Sequence, residues 1–330
     1  MSTLQGIHHV SATVTHPQRA HDFYVGTLGL RLVKRTVNFE DSGTWHLYFG
    51  DSAGSPGSLM TLFPWPAGNP GRQGVGQVNT TSFSIAPSSL GYWLERLVGK
   101  GVSHGGLERR KPGGVTERVI SFRDPDGLSL ELVAHESVAD EGEHEGTSGV
   151  GAAHAIRGLH GVTIWVEDGT ATARVLHEVL DFREVGGDGS LRRYTTGSGT
   201  PGSFLDVRST GGFLRGTGGT GTVHHVAWTV PDEAGELALR ERVIAAGLNP
   251  TGVLDRKYFR SVYFREPGRV LFELATAGPG FTVDEPLEDL GSSLQLPARF
   301  EAERDTITAA LPPLHDYAGA MVRGVPEGGS

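Results

Sequence analysis

The stretch Val223-His224-His225-Val226-Ala227-Trp228-Thr229-Val230 decides the fold, because Ile7-His8-His9-Val10-Ser11-Ala12-Thr13-Val14 repeats its frame. Leu159-His160-Gly161-Val162-Thr163-Ile164-Trp165-Val166 is a third copy, and Val78-Asn79-Thr80-Thr81-Ser82-Phe83-Ser84-Ile85 a weaker fourth. Each is short and rich in β-branched or aromatic residues, so each predicts a strand. A segment with helical signals follows each strand: Pro17 to Gly29, Pro87 to Gly101, Thr170 to Leu180 and Pro231 to Gly247. In the last of these, Asp232 and Glu233 favour the positive helix start. Leu237, Val243 and Ile244 are read as an apolar stripe, and Gly247 fits the position just past the helix end. Two or three further strands complete each copy, closing on phrases centred on Asp124-Pro125-Asp126-Gly127 and Glu266-Pro267-Gly268-Arg269. Their turn chemistry predicts hairpins. The unit is βαβββ, four times over, which is an α+β fold of mixed sheets.

Between copies two and three the chain turns acidic and small, with Glu136, Asp140, Glu141, Glu143 and Glu145 among Gly, Ala and Ser. This predicts a solvated linker over 135–157 between an N-terminal domain (1–134, copies one and two) and a C-terminal domain (158–280, copies three and four). A tail over 281–330 holds a helix-compatible stretch from Ala298 to Leu311, and its last residues, from Val325, are expected to fray. The tail is available to cover a site or a neighbouring subunit of a homo-oligomer.

Glycine makes up 49 of 330 residues, well above the average of roughly 7%, and fits many short strands joined by tight turns. With 29 Lys plus Arg against 38 Asp plus Glu, a net charge of −9 and no strong basic block, neither nucleic acid nor an anionic membrane is an expected partner. The start, Met1 to Gly6, has no signal-peptide pattern and no apolar stretch is long enough to cross a bilayer, so a cytoplasmic location is the expectation. The absence of cysteine excludes disulfides, thiolate metal sites and thiol nucleophiles. Any metal must sit on His, Asp or Glu.

The repeat allows equivalent positions to be compared. At the third residue of the opening strand the copies hold His9, Thr80, Gly161 and His225. At the penultimate position of the closing strand they hold Thr61, Glu131, Asp206 and Glu273. If copies one and four face each other, His9, His225 and Glu273 converge as two imidazoles and one carboxylate. That is the facial triad of non-haem Fe(II) oxygenases, which leaves positions open for substrate and dioxygen. A competing assembly of copies three and four offers Asp206, His225 and Glu273 but leaves His9 idle. His160 aligns with His8 and His224 and, by strand alternation, faces away from the ligand side, so it reads as structural.

These phrases, together with Gly29 to Phe39, His46 to Asp51, Pro56 to Pro64 and Asp255 to Phe264, resemble the vicinal oxygen chelate superfamily. Within it they are most similar to the hydroquinone-type ring-cleaving dioxygenases. The resemblance spans nearly the whole chain. It implies two glyoxalase/dioxygenase-like domains curled around a metal site, with Fe(II), Mn(II) or another divalent metal on His9, His225 and Glu273. It implies an aromatic diol and O2 as substrates. It also implies functional positions at His224, Tyr263 and Arg256 for proton movement and developing negative charge, and at Ser11 and His8 beside the substrate. Ser11 stands where threonine is frequent and keeps the hydroxyl. By alternation Ser11 shares the face of His9, whereas His8 and His224 lean to the other. Two rival readings carry other expectations. A glyoxalase-like isomerase or lyase on Ni, Zn or Mn would need Glu131 or Asp206 as a second carboxylate. A metal-free protein that binds an aromatic ligand would leave the paired histidines without a role.

Overall fold

The computed structural model describes residues 4–139 and 146–317; the acidic centre of the expected linker and the chain's last residues lie outside these. Four βαβββ modules are present. The first is β1 (Ile7–Val14), α1 (Pro17–Tyr24), β2 (Arg31–Val37), β3 (Trp45–Gly50) and β4 (Leu59–Pro64). The second is β5 (Gln77–Ile85), α2 (Leu90–Gly99), β6 (His104–Arg110), β7 (Glu117–Arg123) and β8 (Ser129–His135). The third is β9 (Leu159–Val166), α3 (Gly169–Glu178), β10 (Arg183–Asp188), β11 (Leu191–Thr195) and β12 (Phe204–Ser209). The fourth is β13 (Thr222–Val230), α4 (Glu233–Ala245), β14 (Leu254–Asp255), β15 (Arg260–Arg265) and β16 (Leu271–Thr276).

The modules pair across the chain, not along it. One curled mixed sheet runs β14-β15-β16-β13-β1-β4-β3-β2 and joins modules one and four. The other runs β10-β11-β12-β9-β5-β8-β7-β6 and joins modules two and three. Each sheet thus draws on both sides of the 135–157 segment, and copies three and four do not share a sheet. Residues 146–157 are docked: Val150 and Ala155 are buried, and the Trp93 indole donates to the His154 carbonyl at 3.0 Å.

The register makes the repeat physical. Ser11 opposes Thr61, Ser82 opposes Glu131, Thr163 opposes Asp206 and Ala227 opposes Glu273. The two positions compared along the sequence are therefore equivalent in space in all four modules. Where opening strands pair, β1 with β13 and β5 with β9, one residue per strand is left without an opposite partner. These residues are His8, Asn79, His160 and His224, the second frame position of every module. Four β-bulges thus re-aim the side chains at one place in each repeat.

Alternation divides the rest of β13. Val226, Trp228 and Val230 enter the main core with Leu239 and Val243 of α4, while His225 points the other way. The helix starts at Asp232, whose carboxylate accepts from the Gly235 N–H at 2.8 Å, and ends before Gly247 at φ +78°. Its buried face is Glu236, Leu239 and Val243. Leu237 and Ile244, expected in the stripe, are exposed, because the sequence spacing fits two adjacent faces and the sheet selects the other. The hairpin turns have a common device. Asp124 accepts from the Asp126 and Leu128 N–H groups, and Glu266 from those of Gly268 and Val270.

The tail packs on module one. Lys34 of β2 is buried, pairs with Asp284 at 2.6 Å and with Glu285, and lies over the Tyr258 and Phe281 rings. The helical stretch is a 3-10 turn over Ala298–Glu303 followed by α5 (Arg304–Ala310).

Candidate metal centre

His9 of β1, His225 of β13 and Glu273 of β16 meet on the inner face of the sheet formed by modules one and four, and all three are buried. Nε2 of His9 lies 3.1 Å from Nε2 of His225, and Glu273 Oε2 lies 3.2 Å and 2.8 Å from the two. Mutually adjacent donors around an octahedral ion at about 2.1 Å are separated by about 3 Å. Three lone-pair atoms converging at these distances on one side of a cavity fit a divalent cation. Burial alone would raise the Glu273 carboxyl, but the His9 and His225 imidazoles pull it well below the ordinary value, so it is an anion. Burial lowers His225, which leaves a neutral ring with a lone pair to give.

The bulged histidines hold these donors. Nδ1 of His8 is 2.9 Å from Nδ1 of His9, and Nδ1 of His224 is 2.7 Å from Nδ1 of His225. With each inner Nδ1 engaged by its neighbour, both Nε2 atoms are turned to the convergence point, the arrangement by which an outer partner sets the tautomer of a ligand. Strict alternation would have sent His8 and His224 away, and the bulges bring them back. His8 is fully enclosed, packed 4.8 Å from the Phe259 ring, and lies outside the cavity lining, contrary to its expected place beside the substrate. Burial, followed by the charge of His9, brings it down to about 3. His224 opens onto the cavity. The other oxygen of Glu273, Oε1, accepts from Ser261.

A cavity of about 500 Å³ sits over the triad. Phe39, Phe63, Trp65 and Phe259 supply aromatic walls, and Ser11, His46, Tyr48, His224, Arg256 and Tyr263 the polar ones. Tyr263 opposes Glu273 across the strands, with its ring edge-on to His225 at 5.4 Å. Burial and then the Glu273 charge raise its phenol, so it remains protonated. Arg256 lies over the Tyr263 ring at 5.4 Å and pairs with Glu40 at 2.6 Å.

The residues missed by sequence reading are His46, Tyr48, Ser261 and Phe259. Extending the two-position comparison to one more strand would have found all but Phe259, which precedes β15. Tyr48 opposes Thr61 as Tyr263 opposes Glu273, and Ser121 and Arg193 fill the same slot in modules two and three.

Residues 6–132 match the model of the Glyoxalase/Bleomycin resistance protein/Dioxygenase superfamily. The chain belongs to that superfamily and, within it, to the ring-cleaving dioxygenases. It is 42% identical over 310 residues, 93% of this chain and 96% of the relative, to MhqO of Bacillus subtilis (strain 168), named as a ring-cleaving dioxygenase. It is 33% identical over 318 residues, 93% of this chain and 96% of the relative, to the chlorohydroquinone/hydroquinone 1,2-dioxygenase of Sphingobium indicum. A crystal structure named as a dioxygenase from Bacillus subtilis superposes with a TM-score of 0.88 at 40% identity, covering 96% of this chain and 99% of that one. Glyoxalase I from Zea mays shares the fold alone, with a TM-score of 0.59 at 16% identity over 82% of this chain and 92% of that one. No helix among the described residues is long and apolar enough to cross a membrane.

Proposed function

We propose that the protein is an Fe(II)-dependent, extradiol-type ring-cleaving dioxygenase acting on a hydroquinone or a related para-diol with O2. The observation that carries this reading is the convergence of His9, His225 and Glu273 at the floor of an aromatic-walled cavity, with Thr61 and not a carboxylate at the position equivalent to Glu273. Two imidazoles and one carboxylate leave coordination positions open, the donor set of non-haem Fe(II) oxygenases. Mn(II) or another divalent ion meets the same donors. A glyoxalase-like isomerase would draw on a second carboxylate. Asp206 and Glu131 are held elsewhere, Asp206 on Arg193 and Glu131 on Arg110 in the other sheet.

Bound at this triad, Fe(II) would acidify a coordinated hydroxyl and hold dioxygen beside the diol. The chain does the rest. Phe39, Phe63 and Phe259 wall the cavity and hold the ring in place, which is the entropic part of catalysis. Tyr263, a protonated phenol beside His225, is placed to donate a hydrogen bond to developing negative charge, and Arg256 adds a fixed cation above it. His224, a neutral imidazole open to the cavity, is placed to take a proton.

The test is oxygen uptake by protein loaded anaerobically with Fe(II), using methylhydroquinone as substrate and catechol as comparison. The expected result is one dioxygen consumed per hydroquinone, a product heavier by both oxygen atoms, and no uptake by His225→Ala. Iron bound with no uptake on either diol would contradict the reading and favour dioxygen-independent chemistry.

A further inference from the structure

We propose that His46 is a proton-relay residue of this site, the central link of a hydrogen-bonded chain, Ser11–Thr61–His46–Tyr48, that carries a hydroxyl proton of the substrate away from the triad. The inference rests on the diol reading above. Ser11 Oγ lies 2.6 Å from Thr61 Oγ1, Thr61 Oγ1 3.0 Å from His46 Nε2, and His46 Nδ1 3.0 Å from the Tyr48 hydroxyl. The chain runs across three neighbouring strands, β1, β4 and β3. All four residues are buried, and all four face the cavity or link residues that do. Ser11 is on the strand of His9, opposite His225, so one end of the chain begins beside the triad. The imidazole is pinned between the Phe63 and Tyr48 rings, 4.0 Å and 4.1 Å from their centres.

Each of the four groups both accepts and donates, so a proton passes without any of them becoming charged. Ser11 Oγ accepts the substrate proton as its own moves to Thr61. The Thr61 proton moves to His46 Nε2, the Nδ1 proton of His46 to the Tyr48 oxygen, and the Tyr48 proton to water in the cavity. The diol becomes a phenolate, one proton reaches water, and every hydrogen bond in the chain reverses. Burial holds the His46 imidazole well below its ordinary value and the Tyr48 phenol well above, so both are neutral before and after. The equivalent strands of module four show what is special here. There Thr61 is replaced by the ligand Glu273 and His46 by Ser261, which bonds that carboxylate. Where module four supplies a metal ligand, module one supplies a proton path.

The experiment compares Thr61→Val, which cuts the chain with little change of volume, with Thr61→Ser, which restores the hydroxyl, and with His46→Gln and Tyr48→Phe. Metal content and thermal midpoint identify any variant that is merely misfolded. On Fe(II)-loaded enzyme with methylhydroquinone, Thr61→Val, His46→Gln and Tyr48→Phe are expected to lower kcat by about 10- to 100-fold with little change in KM, and to alter the solvent deuterium isotope effect. Thr61→Ser is expected to recover most of the loss, and Thr61→Val/His46→Gln to be no worse than either single change. Independently, 4-nitrophenol mixed under argon with Zn(II)-loaded protein in a stopped flow is expected to develop its phenolate absorbance more slowly in Thr61→Val than in the wild type. Wild-type kcat, isotope effect and rate of phenolate formation in Thr61→Val would overturn the relay. A wild type that takes up no oxygen would overturn the dioxygenase reading instead, and the rate of phenolate formation would then decide the relay by itself.

Discussion

The two sheets are built from the same unit, share one strand order and bulge at the same two positions of their paired opening strands, yet their inner faces hold opposite chemistry. In the sheet of modules one and four, two imidazoles and a carboxylate point at one another with no lysine or arginine among them. In the sheet of modules two and three the corresponding space carries its own cations. Arg193 binds Asp206 through two bonds of 2.7 Å and also reaches Glu117. Glu117 accepts from His160 and Arg110 at 2.7 Å, and Arg110 reaches Glu131 at 3.1 Å. Buried carboxylates require a compensating charge. One sheet draws it from two guanidinium groups fixed in the sequence; in the other, Glu273 pairs with imidazoles, and a bound cation is the compensation proposed above. Repetition therefore preserved the scaffold and its bulges, while substitutions at equivalent slots, Tyr263 against Arg193 above all, divided the two faces into a candidate catalytic centre and a structural ion network.

The largest effect that tests this contrast is on activity. Glu273→Gln and His225→Ala are expected to lose bound metal and at least about 10³-fold of turnover, whereas Asp206→Asn retains metal; metal analysis and oxygen uptake read both. Wild-type metal in Glu273→Gln, or its loss in Asp206→Asn, would erase the distinction. Arg193→Met, with no part in the chemistry, is expected to destabilise the protein by about 3–5 kcal/mol, because it strands Asp206 in the interior and leaves Glu117 with Arg110 and His160 alone; urea unfolding measures it. A midpoint unmoved by that change would mean the network is not what compensates these carboxylates.

Acid is expected to act on the candidate metal centre in the metal-free protein. His8 has a folded value of about 3, below the ordinary 6.5, and His46 and His225 are lowered too. The unfolded chain binds these protons first. Stability is therefore intact above about pH 6.5 and falls as pH drops toward 3, by up to about 2 kcal/mol per buried imidazole between pH 6.5 and 5. Unfolding free energies at those two pH values should show the loss, and saturation with a divalent metal should raise stability at both without removing the difference. Equal stability at both would contradict the assignment of neutral, enclosed rings.

The smallest effect separates two buried glutamates of module four. Glu273 is oriented by Ser261 and the imidazoles. Glu236, on the buried face of α4, has no hydrogen-bond donor on either oxygen and only Arg260 Nε at 3.6 Å, so burial raises it to about 7. A raised carboxyl costs stability as pH climbs from about 4.5 to 7, and the cost stays in full above that. Glu236→Met should therefore stabilise the protein at pH 8 by about 1–2 kcal/mol and gain less at pH 5, as denaturant midpoints would show.

Much of the site was legible because a repeat converts sequence position into spatial position. His9, His225 and Glu273 stood out as the two histidines and one carboxylate that a pairing of modules one and four brings together, and the register keeps the compared positions at the same two-residue offset in every module. Strict alternation misplaced His8 and His224, because a bulge inserts a residue without leaving a mark in the hydrophobic period. His46 and Tyr48 fall in the stretch His46 to Asp51 that carries the resemblance, but spacing gives them no role, since hydrogen bonds that cross three strands depend on register. The apolar face of α4 was misread because its residues fit two adjacent faces, and only the sheet beneath it decides between them.

The most direct test is an anaerobic Fe(II) titration of the metal-free protein, repeated on His225→Ala and on Asp206→Asn. The account predicts one equivalent bound per chain in the wild type and in Asp206→Asn, and none in His225→Ala. A second equivalent in the wild type, or binding that survives in His225→Ala, would contradict it.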